Sequence, residues 1–158
     1  AVVGSVEGTA VLSTGEAGGT KYLREDGDGT SSWQTVAAGI SAACGQGSRD
    51  ISTASGTQEI TGTGFTPVAV WFVMAESDTA KGSVGFDING TAQNVNNRHN
   101  INDDAWGVTD TFSMRAVHSA GNQYDGKITT LGADGFTITW TKTGSPTGTI
   151  SFGWLAIA

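Results

Sequence analysis

The sequence predicts an all-β chain: an antiparallel, jelly-roll-like β-sandwich over residues 51–158, preceded by an extended glycine-rich N-terminal arm over residues 1–50. Three observations predict it. Of 158 residues, 24 are glycine and only two are proline, and Thr, Ser, Ala, Val and Ile fill most of the rest. Glycine costs a helix about 1 kcal/mol per site relative to alanine, and β-branched side chains lose rotamer freedom there. Several runs alternate large apolar and small or hydroxylated residues with period two, the mark of a strand with one buried face. Clusters of Gly, Asn and Asp, which tolerate positive φ, separate those runs.

Residues 1–50 contain few large apolar side chains: Leu12, Tyr22, Leu23, Trp33 and Ile40 are almost the whole supply. So little apolar surface does not offset the entropy of ordering such a chain, so the segment is expected to order along a partner or along the same segment of sister chains. From residue 51 the texture changes. Gln58 to Thr61, Val84 to Ile88 and Lys127 to Leu131 are short strand candidates, and Thr111 to Val117 alternates. Phe136, Ile138 and Trp140 alternate with threonines, and Ile150, Phe152 and Trp154 alternate with Ser151 and Gly153; all six are predicted to face inward. Gly144–Gly148 lies between these last two runs, so they are expected to pair as an antiparallel hairpin. The polar stretch from Thr91 to Asp110 reads as a surface loop with at most one short strand.

Val68 to Met74 differs from the other runs, being apolar on both faces. A strand of a small sandwich normally presents one face to water, so this one needs a cover on its second face. Trp71 and Val73 are therefore candidates for self-association, with the loop Thr91 to Asp110 as the rival cover.

Charge and motifs exclude more than they assign. Eight basic and fifteen acidic residues give a net charge of −7. The basic residues are scattered singly, whereas nucleic-acid binding requires a basic surface to displace counterions. No apolar run approaches the roughly 18 residues of a membrane span, so no membrane insertion is expected. The single cysteine, Cys44, makes no internal disulfide framework and has no cationic neighbour in sequence to activate it; it reads as a small buried or loop cysteine. His99 and His118 lack zinc-ligand spacing, and Glu25–Thr30 lacks the downstream bidentate Glu of a calcium loop. The adjacent pair Asp103 and Asp104 points apart on an extended chain, unlike the facing carboxyls of a glycosidase. No catalytic residue, metal or cofactor is expected, and the chain reads as a non-enzyme. Trp106, in the polar loop, and Tyr124, between strands, fit no core pattern and are candidates for contact with a surface such as a sugar ring. A free-standing carbohydrate-binding module or lectin is the alternative reading they support.

The segment Gly19-Thr20-Lys21-Tyr22-Leu23-Arg24-Glu25-Asp26-Gly27-Asp28-Gly29-Thr30-Ser31-Ser32-Trp33 resembles a short motif of bacteriophage tail-fibre and head-fibre (capsid-decoration) proteins, with Asp28 and Gly29 as extra residues. Gly64-Phe65-Thr66-Pro67-Val68-Ala69-Val70, Asp134-Gly135-Phe136-Thr137-Ile138 and the terminal run Ile150 to Ile157 are similar to phage structural domains. The resemblance implies a virion structural protein, assembled in the bacterial host cytoplasm as a homotrimer. It implies other capsid or tail proteins as partners and a host-surface glycan as a further contact. It also implies that Lys21, Tyr22, Leu23, Arg24 and Trp33 serve virion attachment.

Overall fold

The structure is a computed structural model that describes residues 21–25, 27, 31–35, 39–77, 81–88, 92–98 and 106–158, in two compact units that divide between Gly39 and Ile40. In the first unit, β1 (Lys21–Glu25) and β2 (Ser31–Thr35) pair antiparallel, with Leu23 opposite Trp33. Tyr22, Leu23 and Trp33 are each well exposed on this hairpin, and a lone two-stranded hairpin is marginally stable by itself.

The second unit is the predicted antiparallel sandwich. Its large sheet runs in the order β3 (Ala42–Asp50), β12 (Thr149–Ile157), β5 (Ala69–Glu76), β6 (Gly82–Ile88), β7 (Ala92–Arg98) and β8 (Trp106–Thr109). Its small sheet runs β4 (Gly56–Thr61), β11 (Gly135–Thr143), β10 (Asn122–Gly132) and β9 (Met114–Ser119). The jelly-roll character lies in the outer winding: β3 pairs with β12 in one sheet while β4 pairs with β11 in the other. Between those pairs the chain runs as two meanders, β5 to β8 and β9 to β11.

The six residues predicted to point inward do so; Phe136, Ile138, Trp140, Ile150 and Phe152 are at most 2% exposed and Trp154 is 8% exposed. Their rings meet across the sandwich: Phe72 packs edge-on against Phe136 and Phe152, Phe136 against Trp154, and Trp140 lies against Phe152. Such offset and edge-on pairs add attraction beyond the area they bury.

Three expectations are corrected. The strands around Trp140 and Phe152 do not form a hairpin. Both carry large inward side chains, and the two sets bury best by facing each other from opposite sheets, so the chain turns a corner at Gly144 (φ 69°) and Gly148 (φ 107°). The stretch Thr91 to Asp110 contains two strands, β7 and β8, which extend the large sheet edgewise. Finally, the sandwich begins at Ile40 and not at residue 51, because the nine residues of β3 pair along the full length of β12. Glycine there serves packing: a Cβ on Gly45 would sit 2.5 Å from the Trp154 ring, and one on Gly47 would sit 2.5 Å from the Phe152 ring. The scarcity of apolar side chains in β3 is the space those two rings occupy.

Toward β6 the space between the sheets becomes polar. The Glu76 side chain is fully buried and its Oε1 lies 2.7 Å from His118 Nδ1 on β9. Lys81, itself buried, donates through Nζ to the His118 carbonyl, and buried Ser83 accepts from the Arg115 backbone N–H at 3.2 Å. On the opposite face of β9 and β10, Arg115 Nε donates to Asp125 Oδ1 at 2.6 Å while its guanidinium stacks on Phe112. Burial pushes the Asp125 carboxyl above its ordinary value of 3.8, outweighing the opposing pull of Arg115 and Gln123.

Two predictions follow from this packing. Gly47→Ala, whose Cβ would collide with Phe152, is expected to cost about 1–3 kcal/mol in urea denaturation. Gly39→Ala, with nothing within 4 Å of its added Cβ, serves as the near-neutral comparison. For Asp125 the folded state holds the proton more tightly than the unfolded chain, so this group's contribution falls as pH rises from 3.8 through the raised folded value. The stability difference between the wild type and Asp125→Asn should therefore shift in the variant's favour over that rise, read as denaturation midpoints across an acid-to-neutral series.

Candidate assembly surface

Alternation along the large sheet gives it two contrasting faces. On β5, Val70, Phe72, Met74 and Glu76 are buried, which turns Trp71, Val73 and Ala75 outward. On β12, burial of Ile150, Phe152, Trp154 and Ala156 leaves Ser151, Gly153, Leu155 and Ile157 outward. On β6, Val84, Phe86 and Ile88 alternate with buried Ser83, Gly85 and Asp87. The register sets these outward residues in rows across the strands. Leu155 lies opposite Trp71, which lies opposite Phe86; Gly153 lies opposite Val73, which lies opposite Val84.

The outer face is thus a continuous apolar patch. Trp71 is 52% exposed and stacks on Phe86 with ring centroids 5.2 Å apart. Val73 is 60% exposed, and Leu155, Val84, Ile88 and Ile157 are each more than a third exposed. Isolated exposed apolar residues are ordinary on soluble proteins, but a contiguous patch of this kind marks an interaction surface. None of the outward positions on β5, β6 and β12 is charged. Beside the ridge formed by Leu155, Trp71 and Phe86 the face dips into an open hollow of about 620 Å³ between β3, β12 and β5, lined by Gln46, Val73, Ala75, Ser151 and Gly153. It exists because Gly153, Ser151 and Ala75 present so little side chain.

Trp71 and Val73 are therefore together and exposed on one face, as their sequence context implies. Of the rival cover, Thr91 to Asp110, β7 and β8 lie beside β6 in the same sheet and not across its face, and residues 99–105 lie outside the described residues. Leu155, Ile157, Val84, Phe86 and Ile88 extend the patch and were not singled out from sequence. Their signal was present: counting by twos from Gly153 reaches Leu155 and Ile157, and Val84, Phe86 and Ile88 alternate within one short run.

The other candidate residues separate. Lys21, Tyr22, Leu23, Arg24 and Trp33 share the β1–β2 hairpin, with Tyr22 opposite Gln34 and Arg24 opposite Ser32. Trp106 opens β8, and its side chain lies outside the described residues, as do His99, Asp103 and Asp104. Tyr124 is not a surface contact. It is fully buried, its ring lies against Trp140, and its hydroxyl accepts from Arg49 Nε at 3.0 Å and donates to the Ala54 carbonyl at 3.2 Å. The residues around it obscured this, because Tyr124, Asp125 and Gly126 are all buried in the central strand β10 and no alternation shows. Cys44, expected to be buried or in a loop, is exposed on the outward face of β3, opposite Leu155.

Among the described residues, no group of three or more His, Cys, Asp or Glu side chains could hold a metal ion. No helix of the described chain is long and apolar enough to cross a membrane. No family model matches the chain, and no curated protein or solved structure matches it.

Removal of the Tyr124 hydroxyl takes the acceptor from Arg49 Nε and one of two donors from the Ala54 carbonyl, which keeps Arg49 Nη2 at 3.1 Å. Tyr124→Phe is expected to lower stability by about 1–2 kcal/mol in chemical denaturation and to leave any glycan binding of the protein unchanged.

Proposed function

We propose that this protein is a non-catalytic structural component of a bacteriophage virion, a fibre or capsid-decorating subunit that works by assembly. The observation that carries this reading is the uncharged apolar outer face of the large sheet, centred on Trp71 and Val73. A folded sandwich that holds such a face open is built to be covered by another protein surface. The division of the chain supports the same reading. Residues 1–39 form a unit separate from the sandwich and carry the exposed Tyr22, Leu23 and Trp33. Exposed aromatic and aliphatic side chains on a marginal hairpin suit a segment that gains its order on a partner. The likeness of residues 19–33 to phage fibre motifs gives that partner a class: capsid or tail proteins.

In this reading the N-terminal unit attaches the chain and the sandwich is the part displayed, with a host-surface glycan as a further contact. The lectin alternative loses Tyr124 to the core, and the side chain of its other candidate, Trp106, lies outside the described residues. The test is incorporation. Density-gradient-purified particles from the source should contain the chain, detected by peptide mass spectrometry. A version beginning at Ile40 should keep its β-rich circular dichroism and fail to co-sediment with particles. A chain missing from purified particles would sink the reading.

A further inference from the structure

We propose that the outer face of the large sheet pairs with the same face of a second copy about a two-fold axis, each Trp71 seating in the hollow at Gly153 of the other. This deepens the assembly reading of that face, on which it rests, by naming the partner and the symmetry.

Charge selects the partner. The chain carries a net charge of −7, so copies repel one another over most of their surface. The outward positions of β5, β6 and β12 carry no charge at all. A partner recognised by charge, such as a nucleic acid or a basic peptide, finds no complement there. A second copy meets no like charge at those positions, and burying them strips water from no ion.

Shape selects the symmetry. One patch carries both a projection and a recess: Trp71 stands beside Leu155 and Phe86, and the hollow opens one row further along, where Val73 lies opposite Gly153. A two-fold axis lying between those rows brings each projection to the partner's recess and satisfies both at once, which defines an isologous contact. A three-fold ring would instead set this face against a different surface of its neighbour. The homotrimer implied by the fibre resemblance is therefore not what this face is shaped for.

Gly153 makes the idea testable without damage to the fold. Beyond its own chain neighbours, the nearest atom to a Cβ added there is the Gly45 carbonyl oxygen at 3.9 Å, and its φ is not positive. Gly153→Leu therefore fits the monomer while filling the recess. Trp71→Glu removes the projection and places a charge at the contact.

The experiment is sedimentation velocity of the full chain from about 1 to 100 μM, which brackets micromolar association and saturates anything tighter. The expected result is a dimer, with both variants weakening it by roughly a hundredfold and keeping the wild-type circular dichroism. If Trp71→Glu fails to fold, Gly153→Leu decides alone. A monomer throughout, a trimer, or a dimer indifferent to Gly153→Leu overturns the proposal. The two readings fail separately. A chain absent from particles that still dimerises with this sensitivity ends the virion role and leaves the pair. A chain present in particles but monomeric in solution does the reverse.

Discussion

The fold depends on large aromatic rings from one strand occupying space that glycine leaves open on the next. Trp154 lies over Gly45, Phe152 over Gly47, and Trp140 over Gly126. In each case an added methyl group would fall within about 2.6 Å of a ring atom, well inside the separation at which carbon atoms attract. These three rings and their partners Phe72, Phe136 and Tyr124 form a connected network that joins both sheets. A chain with few leucines fills its interior in this way, using a few large, stiff side chains set against gaps instead of many medium ones.

That arrangement has a consequence for the rest of the sandwich. The aromatic network fills the end of the interior near β3, β4, β11 and β12. Toward β6 and β9 the interior is held by hydrogen bonds, with Glu76 Oε1 on His118 Nδ1 and Lys81 on the His118 carbonyl. A buried carboxyl needs hydrogen-bond partners, so loss of the His118 contact is costly. The aromatic end supplies cohesion, and the polar end ties β5 to β9 at one place and so constrains how the sheets align.

The outer face of the large sheet follows from the same strands. β5 and β12 use one phase of their alternation for the core and remain apolar in the other, so the surface built by Trp71, Val73, Leu155 and Ile157 is the reverse side of the core. β7 and β8 widen the sheet beyond β6. On β5, β6 and β12 the outward positions leave an uncharged surface on one side of the sandwich. The assembly reading rests on that surface more than on any single residue.

Period-two alternation is local, so the sequence alone determined which residues of the strongest strands point inward, that the chain is all-β, and that the second face of Val68 to Met74 is apolar. Alternation says nothing about which sheet a strand joins. β11 and β12, neighbours in the chain, lie in opposite sheets because their two sets of large side chains bury each other across the core. Tyr124 was illegible because β10 is buried on both faces at that point: the aromatic core covers one side, and Arg115 and Gln123 approach Asp125 on the other. β3 looked like an arm for want of apolar side chains, yet its glycines are defined by Trp154 and Phe152, more than a hundred residues away in the chain. The extent of the outer patch depended likewise on register, since only pairing sets Leu155, Trp71 and Phe86 in one row. Tertiary structure decided these points because each is a relation between distant strands, and a residue's neighbours in sequence carry no record of its neighbours across a sheet.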